Sequence, residues 1–201
     1  MTEGKSKTII EPSEKAEGLI FDMDGTLIDS LEINWLAIDT ALRRHDIVIS
    51  RQHFIDMTGR SLEEIVRILV SEAGREDDIV PVIVKEKREI ANQSIDTVKP
   101  IEIVADVARR YKGRIPMSVG TGSDGHRAVS MLRSTGLLDL FDHVVSADDV
   151  VRHKPDPETF LKCAELMGVA PEKCQVFEDG DTGLEAARAA GMMTCDVREY
   201  L

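Results

Sequence analysis

The chain has 201 residues, of which 42% are hydrophobic, and its formal net charge at pH 7 is −12. This length suits one domain with a sizeable insertion, and the hydrophobic fraction is sufficient for a folded core. The acidic charge and the lack of a Lys/Arg cluster argue against a nucleic-acid partner, because a phosphate backbone is bound by a concentrated basic face.

The composition also indicates a cytoplasmic protein. Residues 1–17 are mostly polar and lack the apolar core of a signal peptide, and no segment is long and apolar enough to cross a bilayer. The cysteines at positions 163, 174 and 195 include no Cys-x-x-Cys pair, which fits buried thiols in a reducing compartment. We therefore expect a cytoplasmic location, no membrane partner and no catalytic cysteine.

The first predicted element is a buried strand that runs into two aspartates. Leu19, Ile20 and Phe21 form a continuous apolar run, which is typical of a strand buried on both faces of a parallel sheet. Asp22 and Asp24 follow it, and residues two apart on a strand point the same way. Ligands bind at this edge of open α/β sheets, so we expect both carboxylates to face one pocket. Two close carboxylates need a divalent cation, a shared proton or a nearby Lys.

Residues 31–98 are predicted to form an all-α cap. The segments 30–45, 61–73 and 78–93 carry helical patterns, and no convincing strand lies among them. Ser61, followed three residues later by Glu64, indicates a helix start after a loop that contains Gly59 and Arg60. We expect this cap to be inserted into a catalytic core made of residues 1–30 and 99–201.

The remainder of the chain alternates between helices and strands. We predict helices over 101–111, 124–135, 157–167 and 182–190, and strands over 115–120, 143–147, 174–178 and 193–197. This alternation predicts right-handed crossovers. The expected fold class is therefore α/β, with a Rossmann-like parallel sheet covered by helices on both faces and a small all-α cap inserted after the first strand.

Polar residues follow two of the predicted strands and precede a helix. Thr121, Gly122 and Ser123 offer a hydroxyl and backbone amides at a helix N-terminus, which can receive a phosphoryl oxygen. An ordinary helix cap explains these residues equally well. In the next loop, Pro155 and Pro157 stiffen the chain beside Lys154, whose ammonium group can offset the charge of a phosphoryl group.

An acidic pair, Glu178 and Asp179, ends another buried strand. Hard oxygen ligands without a nearby His or Cys favour magnesium. A calcium loop is excluded, because Gly25 is the fourth residue counted from Asp22 and the calcium motif requires Gly at the sixth.

These residues together resemble the four motifs of the haloacid dehalogenase-like hydrolase superfamily, and the resemblance covers nearly the whole chain. The matching positions, in chain order, are Asp22-Met23-Asp24-Gly25-Thr26, Thr121, Lys154 and Glu178-Asp179. The helical insertion is similar to that of the β-phosphoglucomutase-like and sugar-phosphate phosphatase branch, and the C-terminal half is similar to fructose-1-phosphate phosphatase-like members. The resemblance implies a phosphatase that uses Mg²⁺ to hydrolyse a small phosphate monoester, such as a sugar phosphate. We expect a small phosphorylated metabolite as its partner and a monomer or weak homodimer.

The resemblance also implies roles for individual residues. Asp22 would attack phosphorus and form an aspartyl-phosphate, and Asp24 would protonate the leaving alcohol and then activate water. Magnesium would be held by Asp22, by the backbone carbonyl of Asp24, and by Glu178 and Asp179.

The same resemblance implies which groups bind the phosphoryl oxygens. Thr121 and the amides of Gly122 and Ser123 would contact them, and Lys154 would offset their charge. Gly59 and Arg60 occupy the position of the family's specificity loop and are expected to contact the leaving group.

Two alternative functions stay open at this point. A sugar phosphomutase shares the aspartyl-phosphate, but mutases of this branch carry a His where this chain has Asn34, and their specificity-loop Arg lies further from the Gly than Arg60 does. A phospho-acceptor signalling domain also combines acids, magnesium, Thr and Lys. In that class the Lys comes last, whereas here Lys154 precedes Glu178.

Overall fold

A parallel sheet of five strands forms the centre of the protein in the computed structural model, which describes residues 9–57 and 60–201. The strands in that part of the chain are β1 (Gly18–Phe21), β2 (Ile28–Asp29), β3 (Lys99–Pro100), β4 (Met117–Gly120), β5 (His143–Val145), β6 (Cys174–Glu178) and β7 (Met193–Asp196). The helices are α1 (Leu31–Arg43), α2 (Arg51–Ile55), α3 (Leu62–Glu72), α4 (Val80–Asn92), α5 (Glu102–Tyr111), α6 (Gly125–Ser134), α7 (Glu158–Met167) and α8 (Asp181–Ala189). None of the helices in the described ranges is long and apolar enough to span a membrane.

The central sheet has the order β5-β4-β1-β6-β7, and all its strand pairs are parallel. Strand β1 lies at the centre, where Ile20 is level with Ser118 of β4 and Val176 of β6. Every residue of β1, β4 and β6 is buried. This confirms the predicted α/β fold class with its parallel sheet.

Helices cover both faces of the sheet, because successive side chains of a strand point to opposite faces. Leu19 and Phe21 of β1 belong to one hydrophobic cluster, which α5 and α6 complete. Ile20 belongs to a second cluster, which α7 and α8 complete. The Phe21 and Phe177 rings stack within the first cluster, with their centroids 4.7 Å apart.

The helices α1 to α4 share a hydrophobic cluster of their own. Its buried members, all between positions 38 and 84, are Ile38, Ala41, Leu42, Ile47, Phe54, Met57, Ile65, Val66, Leu69, Val70, Val80, Ile83 and Val84. This arrangement is compatible with the predicted cap, whose boundaries at residues 31 and 98 stay a prediction. Helix α2 was not predicted, because five residues are too few to show a helical repeat.

The chain leaves and re-enters the core at adjacent points. Strands β2 and β3 form a two-stranded antiparallel ribbon in which Ile28 pairs with Pro100 and Asp29 pairs with Lys99. The two connections between the core and the helical block therefore lie side by side.

Candidate active site

The order of the sheet brings four distant segments of the chain to one edge. Asp22 follows the last residue of β1, and Glu178 ends the neighbouring strand β6. The loop between β5 and α7 carries Lys154, and Thr121 follows β4. The carboxyl ends of parallel strands meet at one edge, which explains why residues so far apart in sequence share one site.

Lys154 joins the two strand ends through a buried ion-pair network. Its Nζ donates hydrogen bonds to Asp22 Oδ1 and Glu178 Oε2, both at 2.7 Å. The side chains of Lys154, Asp22 and Glu178 are only 12%, 8% and 4% exposed. Burial alone would lower the pKa of Lys154, but the two carboxylates outweigh it and raise the pKa. Lys154 therefore stays charged, and its Nζ also lies 4.5 Å from the centre of the Phe160 ring.

Three carboxylates form a cluster of suitable size for a divalent cation. One oxygen each of Asp22, Glu178 and Asp179 lies within 4.8 Å of the others. Burial and the Glu178 charge raise the pKa of Asp22 to about 7, against the lowering effect of Lys154. Burial and the Asp22 charge likewise raise the pKa of Asp179 to about 6. These carboxylates therefore lack sufficient countercharge, and an all-oxygen set of this kind is one that Mg²⁺ prefers.

Two glycines make room for these carboxylates. A Cβ atom at Gly183 would lie 2.0 Å from Glu178 Oε2. A Cβ at Gly25, which has a φ of +89°, would lie 2.3 Å from Asp179 Oδ2. Asp179 Oδ1 also accepts a hydrogen bond from Thr26 Oγ1 at 2.8 Å. Only a residue without a side chain fits at positions 25 and 183 while both acids keep these positions.

Asp24 is held by two hydroxyl groups beside the carboxylate cluster. Its Oδ1 accepts a hydrogen bond from Ser30 Oγ at 2.6 Å, and its Oδ2 accepts one from Ser123 Oγ at 2.8 Å. The Asp24 charge contributes to the raised pKa of Asp22, so the two carboxylates are neighbours, as their spacing indicated. The Asp24 carboxylate is outside the described three-acid cluster, and the metal contact expected from its backbone carbonyl stays a prediction.

The segment after β4 lies beside Asp24. Thr121 is buried, and its Oγ1 accepts a hydrogen bond from the Ser123 amide at 3.0 Å. Gly122 between them is exposed, and a Cβ built on it would meet nothing within 4 Å. Open space therefore adjoins the Gly122 backbone, where the family resemblance predicts a phosphoryl group.

The predicted specificity loop receives less support. Gly59 lies outside the described residues. Arg60 is exposed and forms an ion pair with Glu64, one helical turn along the chain. Both contacts with the leaving group stay predictions.

Sequence reasoning missed Ser30, Lys87 and Arg127, which extend the site toward the helical block. Ser30 precedes α1 and has the position of a helix cap, but its hydroxyl donates to Asp24 instead. Lys87 lies in a charged helix and Arg127 in an ordinary amphipathic one, so neither position carries a signal that could have identified it.

Comparison with known proteins agrees with the fold and identifies the family of the chain. Residues 19–197 match the haloacid dehalogenase-like hydrolase family, and the chain belongs to that family. It is 42% identical to fructose-1-phosphate phosphatase YqaB of Escherichia coli strain K12, over 92% of this chain and 98% of that protein. The predicted family and enzyme class, a phosphoric monoester hydrolase, are thereby confirmed.

Two further proteins are more distantly similar to the chain. The chain is 27% identical to β-phosphoglucomutase of Bacillus subtilis strain 168, over 90% of this chain and 83% of that protein. The crystal structure of CbbY from Rhodobacter sphaeroides in complex with phosphate superimposes with a TM-score of 0.79 at 21% identity, covering 89% of this chain and 84% of CbbY. The second similarity is one of fold alone.

Proposed function

We propose that the protein is a Mg²⁺-dependent phosphatase that hydrolyses a small phosphate monoester, in particular a sugar phosphate, through an aspartyl-phosphate on Asp22. One observation carries this proposal: the Asp22 carboxylate lies at the end of the central strand, with Lys154 on one oxygen and two further acids beside it. The 42% identity to a fructose-1-phosphate phosphatase supports sugar phosphates as the substrate class.

The three-acid cluster suits a resident Mg²⁺ ion. Asp22, Glu178 and Asp179 would hold it, and it would supply positive charge beside the phosphoryl oxygens. Lys154 supplies a second positive charge from the protein itself, at a position fixed by two hydrogen bonds. Because both would lie in a largely buried site, their effect on a developing negative charge would be stronger than in water.

Asp22 and Asp24 divide the chemistry between them. In the first step an oxygen of the Asp22 carboxylate forms a bond to phosphorus while the bond from phosphorus to the leaving alcohol breaks. Asp24 gives its proton to that alcohol oxygen. In the second step Asp24 takes a proton from water, whose oxygen forms a bond to phosphorus while the bond from phosphorus to Asp22 breaks. This releases inorganic phosphate and the Asp22 carboxylate, and it leaves Asp24 protonated for the next cycle. Ser30 and Ser123 keep the Asp24 side chain in place for both steps.

Phosphate release from a panel of sugar phosphates tests this function. The panel includes fructose 1-phosphate and β-glucose 1-phosphate, each with and without Mg²⁺. We compare the wild type with Asp22→Asn and with Asp29→Asn, which removes an exposed carboxylate from β2. Multiple turnovers that require Mg²⁺ and Asp22 but not Asp29 support a phosphatase, and equal turnover by Asp22→Asn refutes the nucleophile.

The same panel separates the two alternative functions. A mutase converts β-glucose 1-phosphate into an isomeric sugar phosphate without releasing phosphate. A phospho-acceptor domain becomes labelled once by a small phosphodonor and releases no phosphate from monoesters. Asn34, which hydrogen-bonds Lys87 and Arg127 here, occupies the place of the His that mutases of this branch carry, so we expect hydrolysis.

A further inference from the structure

Two cationic side chains meet between the helical block and the core, and they share one neutral acceptor. Lys87 Nζ of α4 donates a hydrogen bond to Asn34 Oδ1 at 2.7 Å. Arg127 Nη2 of α6 donates to the same oxygen at 3.2 Å. Across residues 9–57 and 60–201, neither cation forms an ion pair with a carboxylate. An amide oxygen carries no net charge, so this pair lacks a counter-ion.

Arg127 also has a nitrogen with no hydrogen-bond partner. The residue is only 5% exposed, and its Nη1 is buried without a partner among the described residues. An unpaired buried donor destabilises the fold, and more so when it is charged. Such a group calls for a partner from outside the chain, such as a bound anion or water.

The surroundings of Lys87 show the same shortage of negative charge. Burial and the nearby Arg127 lower the pKa of Lys87 to about 8, although Asp24 and Asp124 act in the opposite direction. Both carboxylates already have partners. Asp24 accepts from two serines, and Asp124 accepts from the Arg127 backbone amide at 2.9 Å.

A short chain of hydrogen bonds connects this cation pair to the reaction centre. Asn34 Nδ2 donates to Ser30 Oγ at 3.2 Å, and Ser30 Oγ donates to Asp24 Oδ1. Asp24 is the group that protonates the leaving alcohol under the proposed function. The cation pair is therefore connected through Asn34 and Ser30 to the proposed acid of the reaction.

We propose that Lys87 and Arg127 form a second anion subsite, so that the preferred substrate carries a second anionic group, a phosphate or a carboxylate, on its leaving group. This inference rests on the proposed phosphatase function and narrows its substrate class. The planar guanidinium of Arg127 can donate two hydrogen bonds to one oxyanion, and the ammonium of Lys87 adds a point charge beside it. Because Lys87 comes from α4 and Arg127 from α6, the anion would connect the helical block to the core.

Matched substrate pairs test the subsite. Glycerol 3-phosphate and 3-phosphoglycerate differ by one carboxylate, and fructose 1-phosphate and fructose 1,6-bisphosphate differ by one phosphate. We expect kcat/KM of the wild type to be at least tenfold higher for the member of one pair that carries the second anionic group, and that pair identifies the anion. A ratio below twofold in both pairs overturns the inference while the phosphatase stands.

Substitution of each cation tests whether Lys87 and Arg127 cause the preference for a second anionic group. Arg127→Gln and Lys87→Gln are each expected to lower that kcat/KM ratio at least tenfold. Arg88→Gln serves as the matched control, because Arg88 is exposed on the same helix as Lys87 and pairs with Glu63 instead. A ratio that stays the same in Arg127→Gln, or that falls equally in Arg88→Gln, contradicts the assignment.

Binding without turnover separates this inference from the proposed function. In Asp22→Asn, the member of the pair that carries the second anionic group is expected to raise the melting temperature more than the other member does. Adding Arg127→Gln is expected to abolish that difference. If the wild type releases no phosphate from any substrate, the phosphatase proposal fails, and the melting temperatures still decide whether the subsite binds a second anion.

Discussion

The ammonium group of Lys154 lies 2.7 Å from the carboxylate of Asp22, and both side chains are nearly buried. The Lys therefore supplies positive charge to the proposed nucleophile from within the fold. Lys154 also donates a hydrogen bond to Glu178. One side chain therefore connects the loop after β5 to the ends of β1 and β6. This double contact gives Lys154 a structural role, and under the proposed function it also gives Lys154 a catalytic one.

Lys154→Met is expected to lower both stability and activity. The change leaves Asp22 and Glu178 buried without their cation, which costs about 3–5 kcal/mol of unfolding free energy when one partner of a buried pair is lost. Phosphate release should fall about 10²–10³-fold, as when a charge-stabilising group is removed from an active site. The loss of melting temperature should be larger at pH 8 than at pH 5, since protonation relieves the repulsion at low pH. Equal losses at both pH values would contradict this explanation.

Gly183→Ala is expected to destabilise the protein, although Ala normally stabilises a helix relative to Gly by about 0.5–1 kcal/mol. The new methyl group would overlap Glu178 Oε2, 2.0 Å away, and force Glu178 to move. We expect a loss of about 1–3 kcal/mol in unfolding free energy, as in other overpacked sites, and weaker Mg²⁺ binding. Glu185→Ala on the exposed face of the same helix is the control, and it should leave both quantities unchanged. A Gly183→Ala protein with normal Mg²⁺ affinity would show that Glu178 does not contribute to the metal site.

Stabilisation by Mg²⁺ is expected to grow as the pH rises from 5 to 8. The pKa values of Asp22 and Asp179, about 7 and about 6, lie above their usual value of 3.8. Between these limits the folded protein binds more protons than the unfolded chain, so the metal-free protein loses stability as the pH increases. The metal ion binds the deprotonated carboxylates and therefore competes with those protons. The rise in melting temperature on adding MgCl₂ should be at least about 2 °C larger at pH 8 than at pH 5, which corresponds to roughly 1 kcal/mol for a chain of this size.

The matched control for this experiment is Asp179→Asn, which removes one of the two titrating carboxylates. Its response to MgCl₂ should be small at every pH. A response in the wild type that is the same at pH 5 and pH 8 would refute the competition between protons and metal.

Asp24→Asn is expected to separate the two steps of the reaction. p-Nitrophenyl phosphate has a leaving group that needs no proton, so the first step can proceed without Asp24. The second step needs Asp24 to take a proton from water, so the enzyme should release about one equivalent of nitrophenolate and then stop. Rapid-mix absorbance measures this burst, and mass spectrometry of the stopped enzyme should find the phosphoryl group on Asp22. Continuous turnover at the wild-type rate would remove Asp24 from the mechanism.

The sequence predicted the fold and the acidic centre because both depend on local patterns. Buried strands such as β6 are continuous apolar runs, and the predicted strands and helices of the core agree with the structure to within two residues. The neighbours of Asp22 could be inferred for the same reason, since parallel strands bring their ends to one edge whatever the length of the connections.

The contacts of individual side chains with distant residues were not predictable. Lys87 and Arg127 meet at Asn34 only because α4 packs on α1 and because α6 begins beside Ser123. No spacing in the sequence encodes that meeting. Gly183 likewise lies in a helix that the sequence predicted, and its function of making room for Glu178 follows only from the structure.

The central position of β1 also affects how the chain folds during synthesis. Leu19 pairs with Met117 of β4 on one side and with Gln175 of β6 on the other. Both partner strands of β1 therefore leave the ribosome much later than β1 does. The helices α1 to α4, which bury a cluster of their own, are complete before either strand emerges. The edges of β1 therefore stay unpaired longest among the early elements, until β4 and β6 have been made. Enzyme activity then reports completion of the whole core, because the site lacks Glu178 until β6 pairs with β1.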